Sequence, residues 1–233
     1  MWGAQIEDVA RTSLAVAYDR RGFGSTTTPD ETFSPVNDLR QVHSAVSKEP
    51  AVLVGCSQGG RISLDYALKY PDSVAGLVLI APGISGAPQW SLLTPAIEQL
   101  DAELEAALDR GDLARANELE AHFWLDGPLS DAGRVAGPAR DLFLDMNGIA
   151  LAHPDLTQEQ SPEPAYDRVG EITVPTVVMW GDLDFADIDR QCRYLVEMTP
   201  NARDWLVSGA AHMVNLERPD AVNDAIRGLL DEL

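Results

Sequence analysis

With 233 residues, the chain has the length for one sizeable core and is short for two independent ones. Its formal charge of −20, from 37 acids against 17 bases, argues against nucleic acid or an anionic membrane as partner, since both repel such a surface. No apolar run reaches the length that crosses a bilayer, and a hydrophobic share of 45% is ordinary for a globular domain.

Residues 1–8 lack a basic stretch followed by an apolar core, so no signal peptide is expected and a cytoplasmic location is. Residues 12–18 form a short apolar run that predicts a strand, and Arg20-Arg21-Gly22-Phe23-Gly24-Ser25 reads as a turn. Residues 37–48 carry Leu39, Val42 and Val46 at helical spacing. The run 51–54 predicts a buried strand, 60–69 a helix stopped by Tyr70-Pro71-Asp72, and 74–80 a second buried strand closed by Ala81-Pro82-Gly83.

From about 89 to 147 there is no continuous apolar strand. Helices are predicted at 91–100, 101–110, 112–125 and 131–146, punctuated by Gly111, Gly127-Pro128 and Gly148. The linker Gln160-Ser161-Pro162-Glu163-Pro164 follows. The alternation then resumes with a strand at 175–180, a helix at 188–197, a strand at 203–207 and a helix at 219–230.

Buried strands alternating with helices predict an α/β fold, a mostly parallel sheet with helices on both faces. The helical block reads as a cap over the carboxyl edge of that sheet, where ligands of open α/β sheets bind. The expected division is a core at 1–82 and 166–233 with a helical cap at 83–165.

Gly55-Cys56-Ser57-Gln58-Gly59-Gly60 directly follows a predicted strand and opens a helix. In that context GxSxG describes a strained turn that exposes Ser57 as a nucleophile, with small residues required two positions before and after. The Gln58 N–H at the helix start points where an oxyanion would form.

A serine hydroxyl needs a base. Of the four histidines, His43 precedes the nucleophile and His122 and His153 fall in or near the cap, where packing or surface roles are expected. His212 follows the last strand and completes the order Ser, Asp, His. The base needs an orienting carboxylate. Asp182 and Asp184 after the third buried strand stand level by position, one of them expected to serve a turn, with Asp187 and Asp189 less well placed.

Cys56 and Cys192 form no CxxC pair and no zinc-spaced cluster, and a cytosolic setting disfavours a disulfide between them. No metal or cofactor is expected. Trp90, Phe123 and Trp124 are expected mainly in the core of the cap. Arg134 and Arg140 are expected to be solvated, with a substrate carboxylate as the alternative.

The segments Tyr18-Asp19-Arg20-Arg21-Gly22-Phe23-Gly24-Ser25, Gly55-Cys56-Ser57-Gln58-Gly59-Gly60, Gly181-Asp182-Leu183-Asp184 and Gly209-Ala210-Ala211-His212 resemble the α/β-hydrolase superfamily. They look most like its small capped esterases, enol-lactonases and carbon–carbon hydrolases. The resemblance runs from near the start to the C-terminus and is weakest in the cap. It implies Asp184, the Asp of Gly-x-x-Asp, as the acid.

A serine at the turn separates the chain from relatives that use Asp or Cys there, and Cys56, one position off, reads as a packed residue. The implied activity is hydrolysis of a carboxylic ester or lactone by Ser57, His212 and Asp184. Carbon–carbon hydrolysis on the same triad and a shortened relative that only binds are the alternatives.

One family feature is missing. The family's core opens with a hairpin and a strand ending in a His-Gly loop, which donates the second oxyanion N–H and usually precedes a Trp that Trp2 resembles. Only Met1 precedes Trp2 here, and no His-Gly dipeptide occurs. The family's third strand would lie between 12–18 and 51–54. Its loss predicts either an N-terminally shortened chain, the favoured origin, or closure of the flanking strands into a five-stranded sheet.

Overall fold

The computed structural model describes residues 1–27, 31–88, 94–153 and 158–233. Trp90 and the first residues of the helix predicted at 91–100 lie outside them.

Four strands make one parallel sheet in the order β1 (Ala51–Cys56), β2 (Val74–Ile80), β3 (Thr176–Gly181) and β4 (Ala202–Val207); the first three are apolar runs and β4 is a mostly exposed edge. The crossovers carry helices, as parallel pairing demands. α1 (Gly3–Val9) and α2 (Pro35–Val46) precede β1, α3 (Gln58–Lys69) joins β1 to β2, and α7 (Ala186–Met198) joins β3 to β4. The short α8 (Val214–Glu217) and then α9 (Pro219–Leu230) end the chain.

Successive strand side chains face opposite ways. Leu77 and Leu79 therefore join Leu64 and Tyr66 of α3 and Cys192 and Leu195 of α7 on one face. Val78 and Ile80 join Val222, Ile226 and Leu229 of α9 on the other. Trp2 and Val9 pack against this second cluster.

Between β2 and β3 lie α4 (Pro95–Asp109), α5 (Leu113–Ala121), a π-helical turn (His122–Asp126) and α6 (Pro138–Ala152). The two helices predicted at 91–100 and 101–110 are one, because Ile97, Leu100, Leu104 and Ala107 form a single apolar stripe with no breaker inside it. Thr94 caps it by accepting the Ile97 N–H, and Asp112 caps α5 through Arg115. α6 begins seven positions later than the predicted 131: Pro138 suits only a first turn, and Gly137 before it has φ 69°. Gly148 lies inside α6 rather than ending it, where an added Cβ would stand 3.2 Å from the Asn117 amide of α5.

The strand predicted at 12–18 does not form. Leu14, Val16 and Tyr18 keep the alternation of a strand, but they are exposed. Among the described residues β1 is the end strand and pairs only with β2, and residues 12–18 do not pair with its outer edge. The flanking segments do not close into five strands.

Candidate active site

The end of β1 delivers Ser57. Its φ of 53° and ψ of −116° are strained values for a residue with a side chain, and its N–H is tied to the Ile80 carbonyl at 2.8 Å. The glycines around it are not equivalent. A Cβ at Gly55 would sit 2.3 Å from the Gly59 carbonyl oxygen, and one at Gly60 would sit 2.7 Å from Pro82 Cβ. Among the described residues nothing lies within 4 Å of where one would stand at Gly59. The expectation of small residues at both flanks therefore holds at Gly55 and shifts from Gly59 to Gly60.

The loop after β4 brings His212 to the same sheet edge. His212 is 3% exposed, and its Nδ1 stands 2.8 Å from Asp184 Oδ2. Asp184 also accepts the Phe185 N–H at 2.7 Å. Asp182 does different work: it accepts from the Ser208 hydroxyl at 2.9 Å and the Gly209 N–H at 2.7 Å, tying the β3 and β4 loops together. The position of the two aspartates left their roles level; their hydrogen bonds separate them.

His212 Nε2 is buried and has no hydrogen-bond partner among the described residues, so its bond to Ser57 is open. A catalytic hydrogen bond is often loose before substrate binds. Gln58 opens α3, and its side-chain oxygen accepts from Arg20 Nη2 at 2.7 Å. The buried Cys56 thiol donates to the His212 carbonyl at 3.7 Å, and burial pushes its pKa up. Both cysteines are free.

Several supports were not legible in the sequence. Glu217 accepts the Ala211 N–H at 2.7 Å and pairs with Arg134 Nη2 at 2.6 Å. Arg134 also donates to the carbonyls of Leu125, Asp126 and Gly209. Arg140 bonds Asp126 and Glu118. Both arginines are thus built into the helical block rather than solvated. No spacing signals Glu217, because Arg134 arrives from distant chain and the bond to the Ala211 N–H is to backbone, which leaves no residue pattern.

Trp124, on the π-helical turn, packs its ring 4.9 Å from that of His212 and 5.1 Å from Phe185. It borders both apolar clusters of the helical block and covers the candidate base. Phe123 is 5% exposed within that core. The remaining histidines are engaged elsewhere or peripheral: His43 between the Tyr66 hydroxyl and the Glu49 carbonyl, His122 on the Ser130 carbonyl, and His153 exposed at the end of α6. Among the described residues no three His, Cys, Asp or Glu side chains stand placed for a metal ion, and no helix is long and apolar enough to cross a membrane.

This sheet and the turn that carries Ser57 are those of an α/β hydrolase. The chain belongs to the family described as alpha/beta hydrolase fold, whose match spans residues 2–219, and its relatives make it a hydrolase-family enzyme. It is 28% identical to a putative 2-succinyl-6-hydroxy-2,4-cyclohexadiene-1-carboxylate synthase of Bacillus subtilis, over 92% of this chain and 80% of that one. It is 29% identical to a 2-hydroxy-6-oxo-6-phenylhexa-2,4-dienoate hydrolase of Burkholderia cepacia, over 79% and 64% respectively. Among solved structures, a thermophilic esterase of Thermogutta terrifontis, solved with malate bound, superposes with a TM-score of 0.76. The identity there is 22%, over 99% of this chain and 84% of that one.

Proposed function

We propose that the chain is a serine hydrolase of carboxylic esters or lactones, with Ser57 as nucleophile, His212 as base and Asp184 as its orienting acid. The observation that carries this reading is the buried His212–Asp184 pair at 2.8 Å, with Nε2 left free at the sheet edge where the strained Ser57 turn ends. The helical block at 83–165 is the cap over that edge in this reading.

Ser57 Oγ attacks the carbonyl carbon while His212 Nε2 takes its proton. Asp184 holds the imidazole through Nδ1 and stabilises the imidazolium. The Gln58 N–H supports the oxyanion. Collapse breaks the bond to the leaving alcohol, which leaves with the proton from His212. Water then repeats the sequence on the acyl-enzyme, with His212 again as base, and releases the acid and free Ser57.

A fluorophosphonate probe read by intact mass tests it. One adduct on the wild type and none on Ser57→Ala is expected. No adduct on a cooperatively folded wild type overturns the reading.

Carbon–carbon hydrolysis is the second reading, supported by the name of the Burkholderia cepacia relative. Steady-state turnover of vinylogous 1,5-diketones against simple esters separates the two.

A further inference from the structure

Among the described residues, Arg21, Arg61, Arg134 and Arg140 near the site are matched by carboxylates, whereas Arg218 spends its donors on the Glu217 and Gly209 carbonyls and Arg20 meets neither kind of partner. Arg21 lies between Asp38 at 2.8 Å and Glu31 at 3.0 Å. Arg61 meets Glu159 at 3.2 Å and Asp65 at 3.8 Å. Arg134 and Arg140 pair with Glu217, Glu118 and Asp126. Arg20 has no carboxylate within 4.0 Å among the described residues.

Its partners are instead neutral. Nη2 donates to the Gln58 side-chain oxygen at 2.7 Å, and the guanidinium lies 4.4 Å over the Phe23 ring. Arg20 is half-buried and lines a cleft with Tyr18, Arg21, Phe33, Asp38 and Glu159, in which Arg21 engages Asp38. Glu159 acts on it only at a distance, being engaged by Arg61.

A partly desolvated cation without a counter-ion is costly, and in a chain of net charge −20 carboxylates are abundant. Burial lowers the Arg20 pKa, which records that cost. One of five guanidinium donors is spent on Gln58, which leaves an edge able to grip a carboxylate with two parallel hydrogen bonds. The grip on Gln58 holds that edge at the residue after Ser57.

We propose that Arg20 is a substrate-binding residue that recognises a carboxylate carried by the ester or lactone, making acidic half-esters the preferred substrate class. The proposal rests on the serine-hydrolase reading for its substrate and on Arg20 alone for its anion.

The test compares mono-4-nitrophenyl glutarate and adipate with their methyl-capped neutral counterparts, subtracting the rate with Ser57→Ala. The ratio of kcat/KM for acidic over neutral ester is expected to fall about 10- to 100-fold in Arg20→Gln, the worth of a hydrogen bond to a charged group. Arg20→Lys is expected to retain part of the preference, and thermal melts of both variants report folding. Binding of free glutarate or adipate to the wild type and Arg20→Gln, measured by calorimetry, gives a readout that needs no turnover.

An unchanged ratio, with dicarboxylate binding absent or unaffected by the substitution, overturns the role of Arg20 and leaves the hydrolase reading standing. Dicarboxylate binding that Arg20→Gln abolishes, with no ester turned over, upholds the anion site and sinks the ester reading. Neither turnover nor binding sinks both.

Discussion

At the residue scale the two aspartates after β3 differ in what they hold. Asp184 meets the His212 ring, whereas Asp182 meets Ser208 and Gly209, the start of the loop on which His212 sits. Substitution should split along that line. Asp184→Asn is expected to lower kcat about 10⁴-fold, because the amide can donate to Nδ1 and favour the wrong tautomer. Asp182→Asn is expected to cost about 1–3 kcal/mol of stability, since it weakens two hydrogen bonds to a charged acceptor, with a smaller loss of turnover. Steady-state kinetics and thermal melts of the two variants check this; equal losses of kcat would contradict it. Around the same loop, Glu217 and Arg134 hold Ala211 and Gly209, so His212 is fixed by a network spanning the helical block and the C-terminal helices.

At the element scale, period alone made most of the molecule legible. The strand at 74–80 announced itself as a continuous apolar run buried on both faces, and the helix at 219–230 because it buries one repeating face. The turn after β1 was legible because small residues and a serine follow a buried run. What stayed hidden depended on partners. The segment 12–18 has a strand's alternation but no neighbour in the sheet, and Asp101, which by position suits a helix start, lies inside α4 because one apolar stripe packs on both sides of it. The π-helical turn that aims Trp124 has no sequence period of its own; such widened turns recur at functional sites. β1 bears the consequence of the missing neighbour. Hydrogen exchange should show alternate amides of β1 exchanging quickly, because they face away from β2, while β2, flanked by β1 and β3, stays protected. Uniform protection along β1 would mean that its outer edge is paired in solution.

At the scale of the whole molecule, the surplus of 20 negative charges raises the cost of every buried carboxylate. Asp65 is the test case. Its Oδ2 accepts from the Ser85 hydroxyl at 2.8 Å, Arg61 stands 3.8 Å away, and its Oδ1 is buried without a hydrogen-bond partner among the described residues. Burial raises its pKa, and Glu163 adds to the rise, against the pull of Ser85 and Arg61. The folded chain therefore holds this proton to a higher pH than the unfolded chain does. Stability from the protonated form is fully present below the ordinary carboxylate pKa and is lost as pH rises through the raised one. Each such proton contributes a slope of at most about 1.4 kcal/mol per pH unit within that window. Glu217, raised chiefly by burial, acts in the same direction. Asp65→Asn removes the first contribution while keeping the shape of the side chain. Its denaturation free energy should fall less steeply than that of the wild type as pH rises from the ordinary carboxylate range, and the variant should be the more stable relative to wild type above the window. Parallel curves across that range would show that Asp65 is charged in the fold at no cost, with Arg61 as a sufficient counter-ion despite its 3.8 Å separation.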